Sequence, residues 1–352
     1  MDTSVWKEDM EDILHSDCID WHRFRDSGIF ITGGTGMIGS ALIHALLYAN
    51  QKLSLNLSVF ALIRDERKAK ERLAQQIMES PFFHMVKGTA EDMPFCSEPI
   101  DYIVHGASPT ASDFFIRYPV ETIQTSVIGT LNAMELAREK AIKGAVYLSS
   151  MEVYGEIRVE EQLTEDKTGY MDPLNVRNSY SESKRIGETI CASYAKEYSV
   201  PVCSVRLAQT FGPGVAQNDK RIFAMMARSA LKREPIILST KGESRRACLY
   251  ISEAVTAILC LLLRGKPGRA YNAANPQTYC SVYEMAKTVA TEVAGGEIDV
   301  IIGEDDICEK YPRPSYLKLD ISQLASLGWK PSMTLSDMYR RMMTAMESEQ
   351  DR

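Results

Sequence analysis

The stretch Thr32-Gly33-Gly34-Thr35-Gly36-Met37-Ile38-Gly39 narrows the choice of fold more than any other part of the chain. The apolar residues 28–32 before it read as a short buried strand, and the apolar residues 40–48 after it read as a helix. Strand, glycine turn and helix in that order form a phosphate-binding corner for a dinucleotide. Gly33 permits the tight turn, Gly36 lets backbone approach a pyrophosphate, and Gly39 lets helix pack on strand. Gly34, Met37 and Ile38 complete the cofactor-facing surface, with the first helical N–H groups and the helix dipole turned toward the anion.

The rest of the pattern agrees with this start. Strands are expected at residues 57–63, 83–86, 102–105, 144–149 and 202–207. Helices are expected at 64–79, 125–140 and 182–198. Such alternation implies βαβ units and a parallel sheet. Beyond Phe211-Gly212-Pro213-Gly214 the spacing loosens, and helices are expected at 222–232, 251–263, 282–293 and 334–346. The expected fold class is α/β: a Rossmann doubly wound parallel sheet with a smaller, mostly helical C-terminal substrate lobe. A chain of 352 residues is long for one core. The expected division is an N-terminal extension (1–28), a dinucleotide domain (29–205) and a substrate lobe (206–352), some of whose segments return to the first domain. In the extension, Trp6, Ile13, Leu14, Ile19 and Trp21 lie among acids. They suggest amphipathic helix, used as a surface brace or as an oligomer contact.

Composition excludes several functions. Hydrophobic residues at 45% and charged residues at 25% are ordinary for a soluble globular protein, and a net charge of −7 argues against a nucleic-acid or anionic-membrane surface. The eight cysteines form no CxxC pair and have no histidine cluster beside them, so free thiols in a reducing compartment and no metal are expected. The first ten residues, with Asp2, Lys7, Glu8 and Asp9, hold no apolar signal core. The longest apolar run, 254–263, falls far short of the ~20 residues of a membrane span. A cytoplasmic location is expected.

Chemistry enters with Tyr180 and Lys184, four residues apart and so on one face of a helix. An ammonium near a phenol favours phenolate and lowers its pKa, which would make Tyr180 an acid/base group near neutral pH. Lys184 is also suited to bind a nicotinamide ribose. Ser150, at the end of the strand 144–149, is placed to bond a substrate hydroxyl. Its neighbour Ser149 should point the other way, because strand side chains alternate. Glu152 is either a base, a sugar contact or a structural carboxylate. At the end of the second strand, Arg64 suits the 2′-phosphate of NADP, while Asp65 suits the ribose diol of NAD. The cofactor is expected to be NAD or NADP, with NADP accepted; Arg64 as a solvated cation is the alternative.

The glycine turn, the Ser150 segment and the Tyr180/Lys184 pair, in that order, resemble the extended short-chain dehydrogenase/reductase family. The resemblance runs from about Phe30 to Met346. Within the family it is similar to the UDP-glucuronate decarboxylases and, less closely, to the dTDP-glucose 4,6-dehydratases. His105-Gly106-Ala107-Ser108-Pro109 resembles HLASP, and 150–155 resembles TSEVYG. Tyr118-Pro119, Gly129-Thr130-Leu131-Asn132, Arg177-Asn178-Ser179-Tyr180 and Thr210-Phe211-Gly212-Pro213 follow the family's spacing. Residues 246–253 resemble RAFQYVSD, and Leu327-Gly328-Trp329-Lys330-Pro331 resembles LGWxP.

The resemblance implies that Ser150, Tyr180 and Lys184 form the catalytic group, with Glu152 an auxiliary. It implies that Ala107 and Ser108 line the cofactor. Arg246 would meet a substrate diphosphate or sugar acid, and Arg221 and Arg313 the nucleotide end. Three positions depart from the pattern. Met151 stands where dehydratases have Asp and decarboxylases Ser; a thioether cannot protonate a leaving hydroxyl, so 4,6-dehydration is disfavoured. Gln209 replaces the usual Asn near the substrate diphosphate, and Gly214 replaces a basic residue. The implied function is an NAD(P)-dependent enzyme acting on a UDP- or CDP-linked sugar through a 4-keto intermediate, in the manner of UDP-glucuronate decarboxylase. A 4-epimerase, an NADPH-dependent keto-sugar reductase and a non-catalytic nucleotide-binding regulator are the alternatives. A homodimer joined by a helix pair is the family's usual assembly.

Overall fold

The computed structural model describes residues 4–303 and 314–350. Arg313 and Cys308 lie outside the described residues. In chain order the strands are β1 (Gly28–Thr32), β2 (Ser58–Ile63), β3 (Phe83–Lys87), β4 (Tyr102–His105), β5 (Gly144–Ser150), β6 (Gln162–Leu163), β7 (Val202–Leu207), β8 (Gln209–Phe211), β9 (Ile236–Leu238), β10 (Arg245–Tyr250), β11 (Ala270–Ala273), β12 (Asn275–Ser281), β13 (Val300–Ile302) and β14 (Tyr316–Leu319). Seven of them form one parallel sheet in the order β11-β7-β5-β4-β1-β2-β3. The chain runs outward from β1 in both directions, so the order reverses between β1 and β4. The carboxyl ends of those two strands are the usual ligand position of an open α/β sheet.

Burial explains the apolar strands. All five residues of β1 are buried. Ile29 and Ile31 face one core cluster and Phe30 faces the other, as the two-residue strand period requires. The first core is closed by α1 (Ser4–Leu14) and α2 (Met37–Leu53), and later by α9 (Ile251–Arg264). Between α2 and the second face, the expected helix over 64–79 divides into α3 (Glu66–Arg72) and α4 (Gln75–Met78). Leu73 is the cause: it turns extended to bury its side chain. After α5 (Ser112–Arg117), the long helices α6 (Pro119–Lys140) and α7 (Ser179–Tyr198) cover the second core.

The later chain mixes helix and strand. To α8 (Ile222–Lys232), α9, α10 (Val282–Thr288), α11 (Ser322–Ala325) and α12 (Leu335–Gln350) the structure adds short strands. A five-stranded sheet runs β12-β10-β14-β6, with β8 paired to β10. Strand β11 lies in the large sheet beside β7.

The N-terminal extension is a brace on the main body. Helix α1 packs on α2, α9 and α12. Its Asp9 is fully buried and accepts from the Tyr250 phenol at 2.9 Å and the Arg341 guanidinium at 2.6 Å.

Candidate active site

The glycine turn is tight for steric reasons. Gly33 has φ +77, where a side chain is strained, and a Cβ there would stand 2.8 Å from the Gly106 carbonyl carbon. A Cβ at Gly39 would stand 2.2 Å from the Gly33 oxygen, so only glycine lets α2 pack on the turn. Gly36 is the exposed N-cap of α2, and a Cβ there would meet only the Gly33 oxygen, at 3.2 Å. No side chain caps α2. Its first-turn N–H groups, at Met37, Ile38 and Gly39, therefore suit a pyrophosphate. Gly34 is buried under Ile43 and Ala61. Gly214 lies against Trp6 and Met37, and its carbonyl accepts from Arg72 at 2.8 Å.

The end of β4 stands beside the glycine turn. The Thr32 hydroxyl oxygen accepts from the Gly106 and Ala107 amides, both at 3.1 Å. Ser108 bonds Ser126 at 3.0 Å. His105 is fully buried between Thr32 (2.7 Å) and Thr130 (3.1 Å), and burial drives its pKa down to about 3, so the imidazole is neutral. Sequence reasoning met His105 only as a letter in a motif. Its role as the pin joining β1, β4 and α6 needs partners that are distant in the chain.

At the end of β2, Arg64 is exposed and its charge reaches Glu91. Asp65 has a structural duty: one carboxylate oxygen caps α3 by accepting from the Arg67 and Lys68 amides at 3.0 and 3.1 Å.

Strand β5 ends in two serines with opposite directions. Ser149 donates to Glu188 at 2.6 Å, and Glu188 is held by Arg206 at 2.7 Å. Ser150 has its hydroxyl near enough to the Tyr180 phenol to lower the phenol's pKa, and it accepts from the Glu152 amide at 3.2 Å. Tyr180 is buried near the start of α7, stacked on Phe115 at 5.4 Å. Lys184 is buried one turn later. Its Nζ donates to the Leu148 carbonyl at 2.6 Å and lies 4.8 Å from the Tyr147 ring centroid and 5.7 Å from that of Tyr180. The structure thus brings Ser150, Tyr180 and Lys184 together.

One expectation is corrected. The Lys184 ammonium does not set the Tyr180 pKa in this site. Burial raises the phenol above its ordinary value and the Glu152 carboxylate adds to the rise, while Ser150 and Arg221 oppose it. The lysine is itself lowered to about 8 by burial. Burial is the largest cause at both groups, raising the phenol and lowering the ammonium.

Glu152 is exposed and accepts from Ser181 at 3.1 Å. Met151 is buried in the first core. Arg221 caps α8 and is held by Asp219 through bonds at 3.0, 3.0 and 2.5 Å. Gln209 pairs in register with Cys248, two residues from Arg246 on β10. Among the described residues, the buried Gln209 Oε1 and Arg246 Nε have no hydrogen-bond partner, an acceptor and a donor suited to a ligand. Among the described residues, no group of three His, Cys, Asp or Glu could hold a metal ion, and no helix is long and apolar enough to cross a membrane.

Known proteins resemble the chain in sequence and in fold. The sequence profile of the NAD dependent epimerase/dehydratase family matches residues 29–274. The chain is 30% identical to UDP-glucuronic acid decarboxylase 1 of Xenopus tropicalis over 311 residues, covering 88% of this chain and 69% of that protein. It is 30% identical to UDP-glucuronic acid decarboxylase 6 of Arabidopsis thaliana over 312 residues, covering 88% of this chain and 85% of that one. The crystal structure of a dTDP-glucose 4,6-dehydratase from Bacillus anthracis in complex with NAD shares the fold, with a TM-score of 0.73, 20% identity, and coverage of 92% and 98% of the two chains.

Proposed function

The chain belongs to the NAD dependent epimerase/dehydratase family, and from that premise we propose that it oxidises UDP-glucuronate at C4 and releases carbon dioxide, forming a UDP-pentose. One observation carries the reading: Ser150 and Tyr180 meet at the end of β5, with buried Lys184 one turn away, beside a glycine-lined helix N-terminus. The decarboxylase relatives at 30% identity support the substrate class. Buried Met151 offers no proton to a leaving hydroxyl, which sets dehydration aside.

The residues present fit a dinucleotide, since Gly33 and Gly39 let α2 pack tightly on the turn and Gly36 leaves the uncapped start of α2 exposed where its pyrophosphate would lie. NAD, when bound there, supplies an acceptor that takes a hydride and later returns it. Met37, Ile38, Ala107 and Ser108 would line it, with Lys184 on its ribose. Ser150 orients the 4-hydroxyl and Tyr180 takes its proton. The 4-ketone is β to the carboxylate, so the C5–C6 bond breaks readily and its electron pair passes to the ketone oxygen. Tyr180 and Ser150 stabilise that oxygen, a proton from water goes to C5, and Tyr180 gives its proton back to the oxygen as the 4-hydroxyl is restored. Gln209 and Arg246 suit the diphosphate, and Arg221 the nucleotide end. Arg64, exposed at the end of β2, suits a 2′-phosphate, so NADP is accepted as well as NAD.

Helix α6 leaves Val120, Ile123 and Leu131 exposed, and α7 leaves Ile186 exposed. These side chains suit a homodimer formed through the two helices, to be checked by sedimentation. The function is tested by mass spectrometry of products from UDP-glucuronate with NAD and with NADP. Loss of carbon dioxide from the sugar is expected with the wild type and not with Tyr180→Phe, which should lose about 10²–10⁴ in rate while keeping its fold. Activity retained in that variant defeats the assignment. A 4-epimer as sole product replaces decarboxylation with epimerisation, and a thousandfold preference for NAD removes the role given to Arg64.

A further inference from the structure

We propose that Tyr147 is the positioning residue of Lys184: its ring face seats the ammonium one helical turn from Tyr180, and Gly187 leaves the space that ring needs. The inference rests on the reading of Lys184 as part of the proton-handling group.

Tyr147 lies on β5, in register with His105 of β4 and Ser204 of β7, and is fully buried. Its ring stacks on the His105 imidazole at 5.7 Å and 23°. On the α7 side, Lys184 Nζ stands 4.8 Å from the ring centroid. The charged and titratable groups that face Lys184 are Tyr180, Glu188 and Cys191 from α7, Tyr147 from β5 and neutral His105 from β4. Glu188 acts on Lys184 through its charge alone, since Arg206 and Ser149 hold its oxygens. The close contacts fixing the ammonium are therefore the Leu148 carbonyl at 2.6 Å and the Tyr147 π face.

A buried ammonium over an aromatic face is attracted by the ring quadrupole, and the attraction grows with desolvation. It favours the charged form and so resists the lowering that burial imposes on Lys184. The seat depends on Gly187, because a Cβ there would come within 2.2 Å of the Tyr147 phenol oxygen. Any side chain at 187 would push the ring out from under the lysine. The Tyr147 hydroxyl lies against α7, so the ring acts through Lys184 and not on substrate.

The test uses the full-length chain loaded with NAD and labelled with ¹³C-lysine. The Lys184 resonance is assigned by its loss in Lys184→Arg and followed against pH in Tyr147→Phe, Tyr147→Leu and Gly187→Ala. Tyr147→Phe keeps a π face and is expected to titrate like the wild type. Tyr147→Leu and Gly187→Ala are expected to titrate lower by roughly half to one and a half pH units. The alkaline limb of kcat should fall with them. An unchanged titration in the folded Leu and Ala variants overturns the proposal, as does a shift in Tyr147→Phe equal to that in Tyr147→Leu. Because the resonance is read without turnover, full activity in Lys184→Arg would defeat only the parent reading of Lys184.

Discussion

Ser149 and Ser150 carry the same side chain, and the pleat of β5 gives them different neighbours. Ser149 donates to a carboxylate that Arg206 also holds, so Ser149→Ala should cost about 1 kcal/mol of stability and leave turnover within a few fold. Ser150 lies beside the Tyr180 phenol and favours its charged form, so Ser150→Ala should lower kcat on the order of a hundredfold with an unchanged melting temperature. Melting curves and single-substrate kinetics on the two variants check both outcomes, and equal effects would show that the serines are not divided in this way. At this scale the side-chain types and the alternation were legible. The charge state was not: a Tyr and a Lys four apart suggest a lowered phenol pKa, yet desolvation dominates here, and desolvation depends on what the rest of the chain stacks around the pair.

The corner from β1 to α2 shows what an element can disclose by itself. Gly39→Ala would place a Cβ 2.2 Å from the Gly33 oxygen and force α2 off the turn. It is expected to lower stability by about 1–3 kcal/mol and to weaken NAD binding at least tenfold. Gly36→Ala meets its nearest atom at 3.2 Å and keeps an ordinary φ of −75, so stability should hold while cofactor affinity falls. Calorimetric binding and thermal melts separate the two; equal stability losses would contradict the geometry. Long periodic helices and buried parallel strands were legible because each repeats one local rule many times. The split between α3 and α4, and the short strands β8, β9, β13 and β14, were not, because runs of three to seven residues take their form from the partner they meet.

At the scale of the whole molecule, Asp9 ties the N-terminal helix to the centre. Burial raises its carboxyl from 3.8 to about 7, against the help of Tyr250 and Arg341. A carboxyl with a raised folded pKa holds its proton more tightly when folded. Its contribution is therefore full below about pH 3.8 and is lost as the pH rises toward 7. Relative to Asp9→Asn, the wild type should lose stability through that window by up to about 1.4 kcal/mol per pH unit, measured as the difference in unfolding free energy. A pH-independent difference would show that Arg341 keeps the carboxylate charged. The sequence by itself determined the parallel sheet, the phosphate corner and the order of the chemical groups along the chain, since spacing, periodicity and glycine placement are local properties. Only the tertiary structure decided that Lys184 rests on Tyr147, that His105 is neutral and that Asp9 is buried. Each of those depends on which distant segments exclude water from the same small volume.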